Sequence, residues 1–256
     1  MRTIVLACRA IEDEITVLCK SLNQAPEMVW LEGGWHNNPV KLRARLQEIL
    51  AWADGRCQRL LVTLGYCGGA LSELKTGDYQ LVAPMVDDCL TLLLGSLAAR
   101  KRASKPPAYF LTAGWLRHEN NLIEAYSRAV AAYGLRRAVK LNRLMLKNYQ
   151  RFAFVRTEAY DLESCAARVE PLAKTLKFMI ESVRGDLSWL RDLLLGPHDD
   201  RGRFLVLPPR SEIGYEQWAD FLIGAWPGQL SDQGSHDEFW SEDKKQDPGP
   251  RAAAET

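Results

Sequence analysis

Cys8, His36, Cys67 and Cys89 are the residues of this chain whose types could do chemistry together. Each falls at or just beyond a short apolar run that reads as a buried strand: 3–8, 28–31, 60–64 and 79–86. In an open α/β sheet, ligands bind beyond the carboxyl ends of the strands, so all four residues are expected at one rim. Three thiolates and an imidazole make a tetrahedral zinc set. Three thiolates alone can hold an iron–sulfur cluster with one open iron. A packed core thiol is the alternative reading for any one of them, because free cysteine is among the most buried residue types.

The sharpest break in the pattern is Leu64-Gly65-Tyr66-Cys67-Gly68-Gly69-Ala70. A strand that ends in Cys-Gly-Gly places a thiol where the backbone can turn and approach a ligand closely. Tyr66, Gly68, Gly69, Asn37 and Asp87 are therefore candidate ligand-binding residues. Asp87-Asp88-Cys89 opens a helix, and a helix N-terminus can lower a thiol's pKa. The two aspartates oppose that by their charge, unless one caps the helix. They could also orient His36. Cys67, Cys89 and Asp88 are the candidate catalytic residues. Cys19, Cys57 and Cys165 lie within helices or just before a strand and read as structural. His118, His198 and His236 sit in polar segments without a visible constellation.

The elements that must position these residues alternate in type. After the first strand, apolar residues at 11, 15, 18 and 22 give a helix. Asn38 and Pro39 suit the cap and first position of another, ending near Gly55. A helix from Cys89 runs through Leu90, Leu93, Leu94 and Leu97, with Gly95 inside it, which implies close packing there. Strand 109–112 follows. Helices dominate 121–150, with a break at Gly134. Strand 152–155, helix 162–174, strand 176–183, a helix 187–195 capped by Asp186 and stopped by Gly196-Pro197, and strand 204–207 complete the pattern. This alternation predicts an α/β fold, with a predominantly parallel, doubly wound sheet flanked by helices. Residues 1–230 are expected to form a single domain and 231–256 a disordered polar tail.

Composition narrows the function. Lys plus Arg (33) nearly balance Asp plus Glu (32), a net charge of +1 that gives no global reason to expect nucleic acid. No apolar run is long enough to span a membrane. The N-terminus becomes charged too soon for a signal peptide, so the six cysteines are expected in a reducing cytoplasm. Neither a dinucleotide-binding G-x-G-x-x-G nor a P-loop is present, so no nucleotide is expected. Arg136, Arg137, Lys140, Arg143, Lys147 and Arg151 form a basic stripe at helical spacing. It is either a solvated face or a docking surface for an anionic partner, whether a protein or a phosphate-bearing ligand.

Several ordered blocks resemble the domain of unknown function 1638 family, found in bacteria and archaea. They are His36-Asn37-Asn38-Pro39 with Lys41-Leu42, Leu64-Gly65-Tyr66-Cys67-Gly68, Pro84 through Leu90, and Leu93-Leu94-Gly95-Ser96. Gly114-Trp115 and the segment Gly185 to Gly196 also resemble it, and the likeness covers about residues 3–215. It implies a soluble protein and, through relatives linked with corrinoid-dependent methyl transfer, a connection with that chemistry. One block departs: the family typically has His-Asp-Cys where this chain has Asp87-Asp88-Cys89, which alters any role of that histidine. The expectation is a Cys8–His36–Cys67–Cys89 metal or reactive-thiol site for thiol activation or methyl transfer, with zinc or an iron–sulfur cluster as cofactor. A non-catalytic protein holding a small ligand, cofactor or partner at the same crevice is the alternative.

Overall fold

The computed structural model describes residues 1–198 and 202–225. The polar tail and His236 lie outside the described residues. The chain begins with β1 (Thr3–Cys8), whose residues Ile4 to Ala7 have no exposed surface. Such a run is apolar on both faces because a central parallel strand is covered on both. Helix α1 (Glu12–Ser21), β2 (Glu27–Leu31), α2 (Pro39–Ala53) and β3 (Arg59–Val62) follow, then the short β4 (Leu74–Lys75) and β5 (Gln80–Pro84). The Asn38 side chain accepts from the Lys41 amide and Pro39 occupies the first turn of α2, as its sequence predicts.

Strands β2, β1, β3 and β5 are parallel in that order. Ile15 and Leu18 of α1 pack with Val5, Ala7, Leu61 and Val82. Leu42, Leu46, Ile49 and Leu50 of α2 pack with Ile4, Leu6, Leu60 and Val62. The two helices therefore cover opposite faces, and the sheet is doubly wound. The chain leaves β1 toward β2 and returns to β3 on the other side. This places a topological switch point between β1 and β3, where a crevice opens beyond the strand ends.

Helices α3 (Cys89–Leu93) and α4 (Leu97–Ala103) replace the single helix that the apolar spacing predicts. Gly95 turns out of helical geometry at φ 74°, and Ser96 caps the new helix by accepting from the Ala99 amide. The close packing expected at Gly95 is present: a Cβ there would lie 2.7 Å from the Asp186 side chain.

The second half contains β6 (Ala108–Leu111), α5 (Ala113–Arg117), α6 (Leu122–Tyr133), α7 (Leu135–Met145), β7 (Arg151–Arg156), α8 (Leu162–Leu176) and β8 (Met179–Arg184). Strands β6, β7 and β8 form their own parallel sheet instead of extending the first. Phe152 and Phe154 pack with Leu172 and Leu176 of α8. On the other face, Ala153 and Val155 share a core with Val5 and Ala7 of β1. The two sheets are thus joined by a common apolar layer. Helix α9 (Ser188–Leu195) follows; its N-cap position is Leu187 rather than the expected Asp186, which accepts from the Ser188 amide just outside the helix. Then β9 (Phe204–Leu207) runs antiparallel along β5 to complete a five-stranded sheet. The chain continues through β10 (Glu212–Ile213), paired with β4, into α10 (Glu216–Ala225).

Arg151 does not belong to the basic stripe. It is buried, donates to the Pro106 and Ala103 carbonyls, and pairs with Glu181 across β7 and β8. Its position at the start of a buried strand outweighs its helical spacing from the others. Arg136, Arg137, Lys140, Arg143 and Lys147 are exposed.

Candidate functional site

A cavity of about 540 Å³ lies beyond the carboxyl ends of β1, β3 and β5. Its wall includes Cys8, His36, Asn37, Cys67, Gly68, Asp87, Asp88 and Cys89, which come from four separate segments at the strand ends. The second sheet supplies the facing wall through Tyr109, Phe110, Thr112, Trp115 and Tyr149. Trp115 lies just past β6 and could have been found by the same strand-end rule. Tyr149 carries no such sequence signal.

Backbone pairing continues past the ends of β3 and β5 and joins the Cys67 and Asp87 segments. The Tyr66 amide donates to Val86 O at 2.8 Å, and the Cys67 amide to Asp87 O at 2.9 Å. Gly65 permits this approach, since a Cβ there would lie 2.8 Å from both the Asp88 nitrogen and the Val86 oxygen. Cys67, Gly68 and Gly69 then take φ of 47°, 66° and 94°, reversing the chain.

That reversal turns two expected ligand-binding residues away from the cavity. Tyr66 is buried in the α2-side core, its ring 5.5 Å from Trp218 and 6.5 Å from Tyr215. The Gly69 carbonyl accepts from Arg43 and Ser72. Neither residue lines the cavity wall. Arg43 and Trp218, neither anticipated from sequence, hold the back of the loop.

The electrostatics of the wall follow from burial. Burial pushes the Cys8, Cys67 and Cys89 thiols up, and Asp88 raises Cys67 and Cys89 further. Cys8 raises Cys67 further, and Cys8 and Cys67 both raise Cys89. The lowering expected for Cys89 at a helix start is therefore reversed, because burial and Asp88 dominate over a helix of one turn. All three are neutral S–H groups at neutral pH. Burial also lowers the pKa of His36, against an opposing pull from Asp88, which keeps the imidazole neutral.

The aspartates serve helix α3 rather than His36. Asp88 Oδ1 accepts from the Thr91 amide at 2.9 Å, and its Oδ2 pairs with Arg100 at 3.3 Å. The Thr91 hydroxyl donates to Asp87. Burial and the neighbouring Asp88 push Asp87 toward its protonated form. His36 instead packs its ring 4.9 Å from Trp115, and Trp115 stacks on His118 at 5.8 Å. His118, which showed no constellation in the sequence, lies against the Gly33–Gly34 turn and braces the loop that carries His36.

Among the described residues, no group of three or more His, Cys, Asp or Glu side chains is placed to hold a metal ion. The expected Cys8–His36–Cys67–Cys89 set shares one cavity wall. Among the described residues, no helix is long and apolar enough to cross a membrane.

The family described as "Protein of unknown function (DUF1638)" matches residues 30–194, and the chain belongs to it. No curated protein and no solved structure matches the chain.

Proposed function

We propose that this member of the DUF1638 family binds a small organic molecule in the cavity between its two sheets. The observation that carries this reading is the cavity's place and wall. It opens at the switch point of a doubly wound sheet, its volume of about 540 Å³ is that of a small-molecule site, and aromatic rings face a few convergent polar groups across it. The thiols act as neutral, polarizable wall atoms, since burial keeps them protonated. That feature favours binding over thiolate chemistry, which needs a lowered thiol pKa.

Calorimetric screening of the full chain against a small-molecule library tests the reading. Binding is expected for the parent and loss of binding for Leu90→Trp, which enlarges a partly buried wall residue on α3. If no compound binds, or Leu90→Trp binds as the parent does, this site assignment fails. Adding cobalt(II) provides a separate check. Strong thiolate-to-metal absorption that disappears in Cys67→Ala and Cys89→Ala would establish a metal centre and displace the organic-ligand reading.

A further inference from the structure

Helix α7 and its C-cap divide into three faces. Ala138, Asn142 and Leu146, four residues apart, are buried against the protein. Leu141, Leu144 and Met145 form a second stripe at i, i+3 and i+4, and all three are exposed, Leu144 to 58%. Arg136, Lys140, Arg143 and Lys147 run beside that stripe at helical spacing, with Arg137 set among the apolar residues. Tyr133 and Leu135, on either side of the Gly134 turn, are each 60% exposed. Five of the fourteen exposed large apolar side chains among the described residues thus fall between 133 and 145.

The charge of this surface is one-sided. The chain has no acidic residue between Glu124 and Glu158. Among the described residues, none of the five cations forms an ion pair, and Arg143 donates to the Thr175 carbonyl at 3.3 Å. Helices α6 and α8 pack against α7 and carry Glu124, Glu163 and Glu170, of which Glu170 is paired with Lys174. Packing α7 against the α7 of a second copy would set five cations against five, which disfavours self-association on this face. Protein interfaces deplete lysine and centre on a dry apolar core, whereas here Lys and Arg run through and beside the apolar stripe. An apolar stripe flanked by Lys and Arg, on a helix of low overall hydrophobicity, is the pattern of a helix lying in the plane of an anionic lipid surface. Leu and Met side chains suit the acyl boundary there, and a tyrosine such as Tyr133 suits the headgroup level.

We propose that the protein docks peripherally on anionic lipid bilayers through α7. Leu141, Leu144 and Met145 enter the acyl boundary, while Arg136, Arg137, Lys140, Arg143 and Lys147 meet the lipid phosphates and carboxylates. The long stems of Lys and Arg let their charges reach the headgroups while the apolar stripe is buried. A short apolar patch or a polybasic patch alone gives marginal, reversible attachment, and α7 supplies both signals on one helix. None of these residues lines the cavity between the sheets, so the docking surface is independent of the small-molecule site.

Co-sedimentation of the full chain with vesicles decides it, comparing pure phosphatidylcholine with phosphatidylcholine containing about one-third phosphatidylserine. The parent should bind the anionic vesicles at least about tenfold more tightly than the neutral ones, and less tightly as salt rises. Arg136→Gln with Lys140→Gln should weaken that binding about 25-fold, at about fivefold per cation. Leu141→Ser with Leu144→Ser should weaken it about tenfold or more with every charge retained. Lys20→Gln with Lys41→Gln, two exposed cations on other helices, removes the same net charge and should leave binding unchanged. All these side chains are exposed, and circular dichroism checks that each variant keeps the parent's fold. If the parent binds neutral vesicles as well as anionic ones, or binds neither, the lipid assignment is wrong and an acidic protein becomes the candidate occupant. If the Lys20/Lys41 control loses as much as the α7 charge variant, the attraction belongs to net charge and the proposal is overturned. Unchanged binding by the two-serine variant would equally sink it, since the apolar stripe would then touch no lipid.

Discussion

Replacing Gly65 by alanine tests whether close backbone approach sets the site. Gly65 lies outside the left-handed region, so the substitution costs no conformational strain; its whole effect is steric. The new Cβ would meet the Asp88 nitrogen and Val86 oxygen at 2.8 Å and the Asp87 carbonyl carbon at 2.9 Å, all of them backbone. To reach an ordinary 3.4 Å contact, the two segments must part by about 0.6 Å. The Tyr66–Val86 and Cys67–Asp87 hydrogen bonds, at 2.8 and 2.9 Å, span the same gap and would stretch to the edge of bonding. Overpacking of this kind costs about 1–3 kcal/mol, and weakening two hydrogen bonds adds about 1 kcal/mol. The expected loss is therefore about 2–4 kcal/mol, or roughly 5–15 °C in Tm for a chain of this size. Thermal unfolding followed by circular dichroism measures it. Gly55→Ala serves as control, because Gly55 has a φ of 69° with open space around it and should lose only about 1 kcal/mol from strain. If Gly65→Ala melts within a degree of the parent, or no lower than Gly55→Ala, close approach does not hold the loop.

Three further outcomes follow from burial and capping. Burial lifts Glu14 from 4.5 to about 7, partly offset by the Thr157 hydroxyl that donates to it. A folded-state pKa above the unfolded one means stability is full below pH 4.5 and is lost as pH rises through 7. Glu14→Gln should therefore match the parent near pH 4.5 and be about 3 kcal/mol more stable at pH 8, by urea unfolding; an unchanged pH slope would refute the assignment. Cys67 and Cys89 should be alkylated roughly a hundredfold more slowly at pH 7.5 than in the unfolded chain, mapped by mass spectrometry, and labelling at the unfolded rate would mean thiolates. Asp88→Ala should lose about 1 kcal/mol through the Thr91 cap while Asp88→Asn loses little, and equal losses would locate the role of Asp88 elsewhere.

The rim was legible because a buried parallel strand writes its end into the sequence. The apolar runs before Cys8, Cys67 and Cys89 stop where the backbone leaves the core, and the structure places all three thiols on one cavity wall. What an apolar run cannot encode is its partner. Strands β6 to β8 read like the earlier ones, yet they pair among themselves, so the place of Tyr109 and Tyr149 across the cavity was invisible. Local reversals were hidden for a different reason. Positive φ at Cys67, Gly68 and Gly69 sends Tyr66 and Gly69 to the opposite side, although they flank cavity residues in sequence. Arg151 reads as part of a basic stripe, yet it is buried against the distant strand that carries Glu181.

The antiparallel pairing of β9 with β5 also imposes an order on synthesis. Strand β5 ends at Pro84 and its neighbour begins at Phe204, so the ribosome adds about 120 residues before that edge can be covered. At about 5–20 residues per second this takes roughly 6–24 s, during which Leu81, Val82 and Ala83 present an open apolar strand edge. The second sheet is made entirely within that interval. A nascent chain released early, before β9, would keep the crevice-forming strands but carry an edge competent to pair with another copy.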